Sequence, residues 1–239
     1  MNKYKLTRFI DKYHLGGNVN AVVINSKSDK LSTRFITGDK ALLGELKMNN
    51  WTFEDSELGV YDTEQLSRLL GVLDDDVTLN LTQAGDKAIA VEISDALSKV
   101  NFMLSDKSVI NTPPALKQIP EFQIEIKVDS NFIQRFISGK SALPDTDTFT
   151  VISDDDGVKL VIGYSSINTN RVTIPVETIE HSNIDNVSFN ANLFKDVLVA
   201  NKECESATLY VAQDGLSKIN FKVDDYDATY FLVAVQDVD

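Results

Sequence analysis

Two histidines, a single cysteine and two runs of three aspartates are the residues of this chain best suited to chemistry. His14 and His181 stand in no metal-ligand spacing, so surface or capping roles fit them better than ligation or proton transfer. Cys204 follows a helix-like segment and has no obvious partner, which suits a small buried residue more than a nucleophile. The runs Asp74–Asp76 and Asp154–Asp156 could be imagined as magnesium ligands of a phosphoryl-transfer enzyme. Calcium-loop spacing fails, however, because Gly157 follows three residues after Asp154 and Ser165, not Glu, occupies the twelfth position. Solvated turns between strands are the simpler reading. With no GxxxxGK[ST] loop and no HExxH pair in the sequence, the expectation is a protein that is not an enzyme and that holds no metal or cofactor.

The elements that would position these residues belong to a chain of 239 residues, 43% hydrophobic and 25% charged, enough to bury a core in each of two domains. One cysteine excludes an intramolecular disulfide framework, and no basic-then-apolar leader opens the sequence; both are expected of a protein of the reducing cytoplasm. Apolar runs such as "FLVAV" and "DVLVA" are far shorter than the roughly 20 residues that cross a bilayer as a helix, so no membrane partner is expected. The formal charge of −13, from 36 acidic and 23 basic residues, argues on average against a nucleic-acid partner. It leaves open what any one face carries.

Four segments have amphipathic helical spacing and alternate with strand-like runs. The first runs from Tyr4 to His14, with Leu6, Phe9, Ile10 and Tyr13 in one stripe and Gly16–Gly17 as a stop. The second runs from about Asp62 to Leu73 and carries Leu66, Leu69, Leu70 and Leu73. The third begins near Asp129 or Ser130 and carries Phe132, Ile133, Phe136 and Ile137 before Gly139 and Pro144, which are expected to end it. The fourth follows Asn190 and carries Leu193, Phe194, Val197 and Leu198. Strands are expected in "NAVVIN", "VTLNLT", "AIAVEI", "KVNFML", "FTVIS", "KLVIGY", "ATLYVA", "KINFKV" and "TYFLVAV", with turn signals at Asp156-Gly157 and Asp214-Gly215.

The segment "VYDTEQLSRLLGVLDDDVTLNLTQAGDKAIAVEI" lines up with "SFNANLFKDVLVANKECESATLYVAQDGLSKINFKV" as capped helix, polar turn, strand, turn and strand. Recurrence of one supersecondary unit at roughly sixty-residue intervals implies two helix-plus-sheet units per domain, in two domains. The seam is expected in "NTPPALKQIPEF", Asn111 to Phe122, which holds three of the five prolines; the boundary is expected near Pro120.

On the helices, Lys5, Arg8 and Lys12 fall in one narrow arc that reads as an outward basic face. Lys195 and Lys202 read the same way in the fourth segment. Arg68 and Arg135 stand on expected exposed sides, and Lys140 lies past a glycine. Each set taken alone fits an ordinary solvated helix surface. Four helices that each expose a basic residue, while acids crowd into turns and strands, point to a charged function.

This organisation resembles that of the DNA polymerase sliding clamps, most closely those of T-even-type bacteriophages. The similar stretches are "VYDTEQLSRLLGVLDDDVTL", "FQIEIKVDSNFIQRFISG", "VKLVIG" and the closing "ATYFLVAVQD". The resemblance implies an α+β fold of two similar clamp-like domains, residues 1–115 and 122–239, joined by a connector at 111–121, each with two helices packed on antiparallel sheet. It implies a homotrimeric ring that encircles duplex DNA without sequence preference, is opened by an ATP-dependent loader and tethers the replicative polymerase. Under it, Lys3, Lys5, Arg8, Lys12, Arg68, Arg135, Lys140, Lys195 and Lys202 would face DNA. Leu116, Ile119, Pro120, Phe231, Val233 and Val235 would receive partner peptides. A β-rich structural oligomer of the virion type is the competing expectation, and it needs neither a basic inner surface nor a polymerase.

Overall fold

A computed structural model describes residues 2–235 apart from positions 86, 117 and 168; the last two residues of "ATYFLVAVQD" therefore lie outside the described residues. The chain divides into two compact units, one formed by the residues up to Gly38 with Gly44–Pro114, the other by Asp39–Leu43 with the residues from Ala115 onward. The division at Pro114 and Ala115 falls inside the proline-rich segment.

The first unit runs α1 (Lys3–His14), β1 (Val22–Lys27), β2 (Lys30–Ile36), β3 (Leu42–Asn49, whose first two residues group with the second unit), β4 (Ser56–Val60), α2 (Thr63–Leu70), β5 (Thr78–Ala84), β6 (Lys87–Ser94) and β7 (Lys99–Met103). β1 pairs antiparallel with β2 and with β4, and β5, β6 and β7 form a three-stranded antiparallel sheet. The second unit runs β8 (Ile124–Asp129), α3 (Ser130–Ala142), β9 (Thr148–Asp154), β10 (Gly157–Ile162), β11 (Val172–Pro175), β12 (Thr178–His181), β13 (Val187–Asn190), α4 (Ala191–Ala200), β14 (Ser206–Val211), β15 (Leu216–Val223) and β16 (Tyr226–Val233). Here β11-β10-β9-β13 make one antiparallel sheet, and β12-β8-β14-β15-β16 are neighbours in another.

All four helices begin the same way. Asn2, Asp62, Asp129 and Asn190 stand just before the first turn, and the side-chain oxygen of each accepts from backbone N–H groups that have no partner within the helix. The apolar stripes then pair the helices within each unit. Tyr13 of α1 reaches Thr63 of α2 through hydroxyls 3.1 Å apart, both buried. In the second unit the Phe136 and Phe194 rings meet edge to face at 4.8 Å, and Phe149 of β9 stacks on Phe194 at 4.9 Å. Such aromatic contacts contribute roughly 0.5–1.5 kcal/mol each beyond the area they bury.

Three expectations about the helices change. Gly139 does not end α3 but lies inside it, buried, where a Cβ would stand 3.0 Å from Val172 Cγ1 and 3.3 Å from Ile162 Cδ1. The missing side chain admits β11 and β10 close to the helix. α2 stops at Leu70, and Leu73 is buried from the following turn. α4 ends at Ala200, where the buried Asn201 amide donates to Val197 O and to the Tyr230 hydroxyl, both at 2.9 Å.

Candidate nucleic-acid interface

The basic residues divide by environment. On α1, Lys5 and Arg8 are half-buried, and the Arg8 guanidinium lies 5.5 Å above the ring of Tyr4, which is 60% exposed. The ammonium of Lys3 donates to the carbonyl of Leu73, and the Lys3 N–H donates to Asp75 O at 2.7 Å, so this end of α1 is tied to the turn after α2. Lys12 departs from the expected outward face, since its side chain is 1% exposed. The helical wheel does not account for this, since at about 100° per residue Lys5 stands nearer to Phe9 than Lys12 does and is only half-buried. The burial of Lys12 comes from what packs on the helix and not from its azimuth.

Arg68 of α2 is well exposed and pairs with Glu64 one turn earlier at 3.0 Å. Arg135 of α3 is exposed and lines a shallow depression with Asn131. Lys140 also departs from expectation. It lies within α3, is 3% exposed, and donates to Leu143 O at 3.3 Å and Pro144 O at 2.9 Å. Its ammonium donates to the carbonyls of the two residues that follow α3, beside a helix C-terminus where a cation is favoured. Lys195 is half-buried on α4, and Lys202 is exposed in the turn beyond it, so the two do not share one helical arc.

The candidate peptide-binding residues also divide. Leu116, Ile119, Val233 and Val235 are exposed by 37–52%, Pro120 is half-buried, and Phe231 is buried. Val235 N–H donates to Ser188 O at 2.8 Å and Ala234 N–H to Gly215 O at 2.7 Å, which fixes the path of the chain after β16.

The reactive residues of the sequence fall into structural roles. Cys204 is buried, with its thiol donating to Ser206 O. Asp154 pairs with Lys159 at 2.8 Å across the β9–β10 hairpin, and that lysine holds its carboxyl below the usual range. Asp74 N–H donates to the Asp95 carboxylate at 2.6 Å, and the backbone donors of Asp74, Leu97 and Ser98 push Asp95 down likewise. Among the described residues no group of three or more His, Cys, Asp or Glu side chains could hold a metal ion. No helix among them is long and apolar enough to cross a membrane.

Sequence reasoning missed a stack on the β14–β15 surface, where Lys218 Nζ stands 4.5 Å from the Tyr210 ring centre and 5.3 Å from that of Phe122. Cross-strand pairing of Tyr210 with Lys218 creates it. The alternation of β14 and β15 could have indicated a shared face, but register is not visible before the hairpin is known.

No protein-family model and no curated protein matches the chain. Among solved structures the fold is similar to the proliferating cellular nuclear antigen (PCNA) of Entamoeba histolytica, with a TM-score of 0.76 at 15% identity over 99% of this chain and 97% of that one. It is similar also to a chain of the PCNA2–PCNA3 complex of Sulfolobus tokodaii, with a TM-score of 0.73 at 13% identity over 98% and 97% of the two chains. At these identities the likeness is one of fold, and it runs nearly end to end.

Proposed function

We propose that this chain is one subunit of a sliding clamp, a closed homotrimeric ring that encircles duplex DNA and tethers a replicative DNA polymerase. The observation that carries the reading is the end-to-end fold likeness to PCNA sliding clamps, the family whose organisation the sequence resembles. The stretches quoted above favour a clamp of the T-even bacteriophage kind, acting in the cytoplasm of an infected cell and opened by an ATP-dependent loader.

The proposed DNA-facing set is Lys5, Arg8, Arg68, Arg135, Lys195 and Lys202, without the buried Lys12 and Lys140 and without Lys3, whose ammonium is engaged at Leu73. The proposed partner site is the connector at Leu116, Ile119 and Pro120 with the exposed Val233 and Val235. Three chains carry a formal charge of 3 × −13 = −39, so direct attraction to phosphates is weak near physiological ionic strength. Retention is then topological.

The test loads the protein onto nicked circular DNA with its loader and ATP and follows it through gel filtration in moderate salt. It should remain bound to the circle and leave within minutes of one restriction cut. Equal retention on circular and linear DNA would replace the clamp with an ordinary binding module, and no association with either would favour the structural oligomer.

A further inference from the structure

In the second unit, one row of side chains across four neighbouring strands is polar throughout. Register sets Lys127 of β8 beside Thr208 of β14, Thr208 beside Asn220 of β15, and Asn220 beside Thr229 of β16. At about 4.8 Å per strand the row spans about 14 Å. Leu209, Ile219 and Tyr230, one position along each strand, are buried on the opposite face. With Ser206, Lys222 and Asp227 of the next row and Ile179 of β12, the polar row lines a depression of about 520 Å³. Ile179 stands where the register between β12 and β8 shifts, an irregularity that re-aims a side chain, and it is 62% exposed. None of the residues proposed above for partner peptides lines this depression.

Thr208, Asn220 and Thr229 are half-buried, yet among the described residues no hydrogen bond engages their hydroxyls or amide. Lys222 is exposed and has no ion pair among the described residues, whereas Lys127 pairs with Glu177 at 3.2 Å and Lys218, one row away, lies over Tyr210 at 4.5 Å. Asp227, opposite Lys222 across β15 and β16, is half-buried and has interactions of its own. Polar groups gathered on one face without protein partners are satisfied by water, which a ligand with matching acceptors can replace.

We propose that this depression is a docking site for an acidic segment of a partner protein, with Lys222 and the donors of Thr208, Asn220 and Thr229 holding its carboxylates and Ile179 meeting an apolar side chain beside them. Charge decides the occupant. The chain carries −13 overall, but the lining holds Lys127 and Lys222 against Asp227 alone, so an acidic segment finds here a local charge opposite to that of the whole. Hydroxyl and amide groups that donate to a carboxylate form charge-assisted hydrogen bonds, stronger than neutral ones. A nucleic-acid strand fits less well, because neutralising its phosphates takes several cations and Lys222 is the one lining ammonium without an ion pair among the described residues. All these residues belong to the second unit, so the site stands whether or not three chains close a ring.

The test titrates the full chain, at low salt, into a fluorescently labelled pentapeptide of glutamates around a central leucine and follows its anisotropy. The same peptide with glutamine in place of glutamate, and a short oligothymidylate, serve as comparison probes. The glutamate peptide should bind, and its glutamine counterpart should bind at least about ten-fold more weakly, the factor expected for hydrogen bonds to a charged group. Lys222→Gln should weaken the glutamate peptide about ten-fold, and Thr208→Val with Thr229→Val, which keep the branched shape and remove both donors, should do the same. Lys30→Gln, at an exposed position on β2 of the first unit, should change nothing. Absence of binding at millimolar protein, equal binding of the two peptides, or a Lys222→Gln variant indistinguishable from Lys30→Gln would each overturn the proposal. Tighter binding of the oligothymidylate, lost in Lys222→Gln, would overturn it in favour of nucleic acid. Thermal unfolding of each variant separates lost contacts from lost fold, and Lys222→Gln, being at the surface, keeps the test readable if the paired threonine variant unfolds.

Discussion

Lys12 and Arg8 sit one turn apart on α1 and illustrate how little a residue type says before its neighbours are known. Arg8 keeps solvent access beside an exposed tyrosine, whereas the Lys12 side chain is buried. Replacing Arg8 by Gln removes a partly exposed cation–π contact and should lower stability by no more than about 1 kcal/mol. Lys12→Glu places an acid where a buried cation was accommodated and should cost roughly 3–5 kcal/mol, visible as a large fall in the urea midpoint. Equal midpoints for the two variants would return Lys12 to the surface. His14, at the end of the same helix, has its pKa lowered, chiefly because burial disfavours the imidazolium, against the opposing pull of Asp11, Glu64 and Asp62. The unfolded chain thus binds this proton more readily than the folded one. Stability is full above the ordinary histidine range, near pH 6.5, and declines as pH falls through the lowered folded value. Thermal midpoints measured downward from pH 7.5 should show this decline, and His14→Gln should flatten it.

At the scale of elements, what could be read beforehand was whatever local chemistry determines. The four helices were legible because each joins an Asx cap to an apolar stripe, and the cap contribution is measurable: Asp129→Ala should cost about 1 kcal/mol, while Asp129→Ser should cost far less. Strands rich in β-branched residues, such as β10 and β14, were legible for the same reason. β2, "KLSTRFI", and β12, "TIEH", were not expected, since their polar residues become strand only through pairing with β1 and with β8. The β1–β2 turn hid its signal too. Ser28 and Asp29 both take positive φ, 51° and 60°, in a two-residue loop with neither Asn-Gly nor Asp-Gly to announce it. Gly139 misled in the opposite direction, because a residue that usually ends helices was there to let β11 approach. Gly139→Leu should therefore destabilise by roughly 1–3 kcal/mol through overpacking against Val172 and Ile162, and Gly139→Ala should cost much less. Of the candidate interface, charge and helical position were visible in sequence, but the burial of Lys12 and Lys140 depends on packing that no single helix specifies.

At the scale of the whole molecule, the proposed ring makes a demand that the single chain does not. Two similar units per chain close a six-unit ring only when three chains join, and the contact must run head to tail, since a two-fold contact would stop at a dimer. Sheet edges are the natural place for that contact: the three-stranded sheet of the first unit ends at β5 and β7, and the four-stranded sheet of the second ends at β11 and β13. An edge paired with a neighbouring subunit has its backbone groups satisfied and no longer recruits unrelated chains. A mass measurement under native conditions at micromolar concentration should therefore give three times 26.5 kDa. Proline in the middle of β7, as in Asn101→Pro, removes a backbone donor and should shift that mass toward monomer if β7 is the seam, while a matching change on β5 leaves the trimer intact. A stable monomer or dimer for the unmodified chain would remove the ring, and with it the topological hold on DNA that a trimer of charge −39 requires.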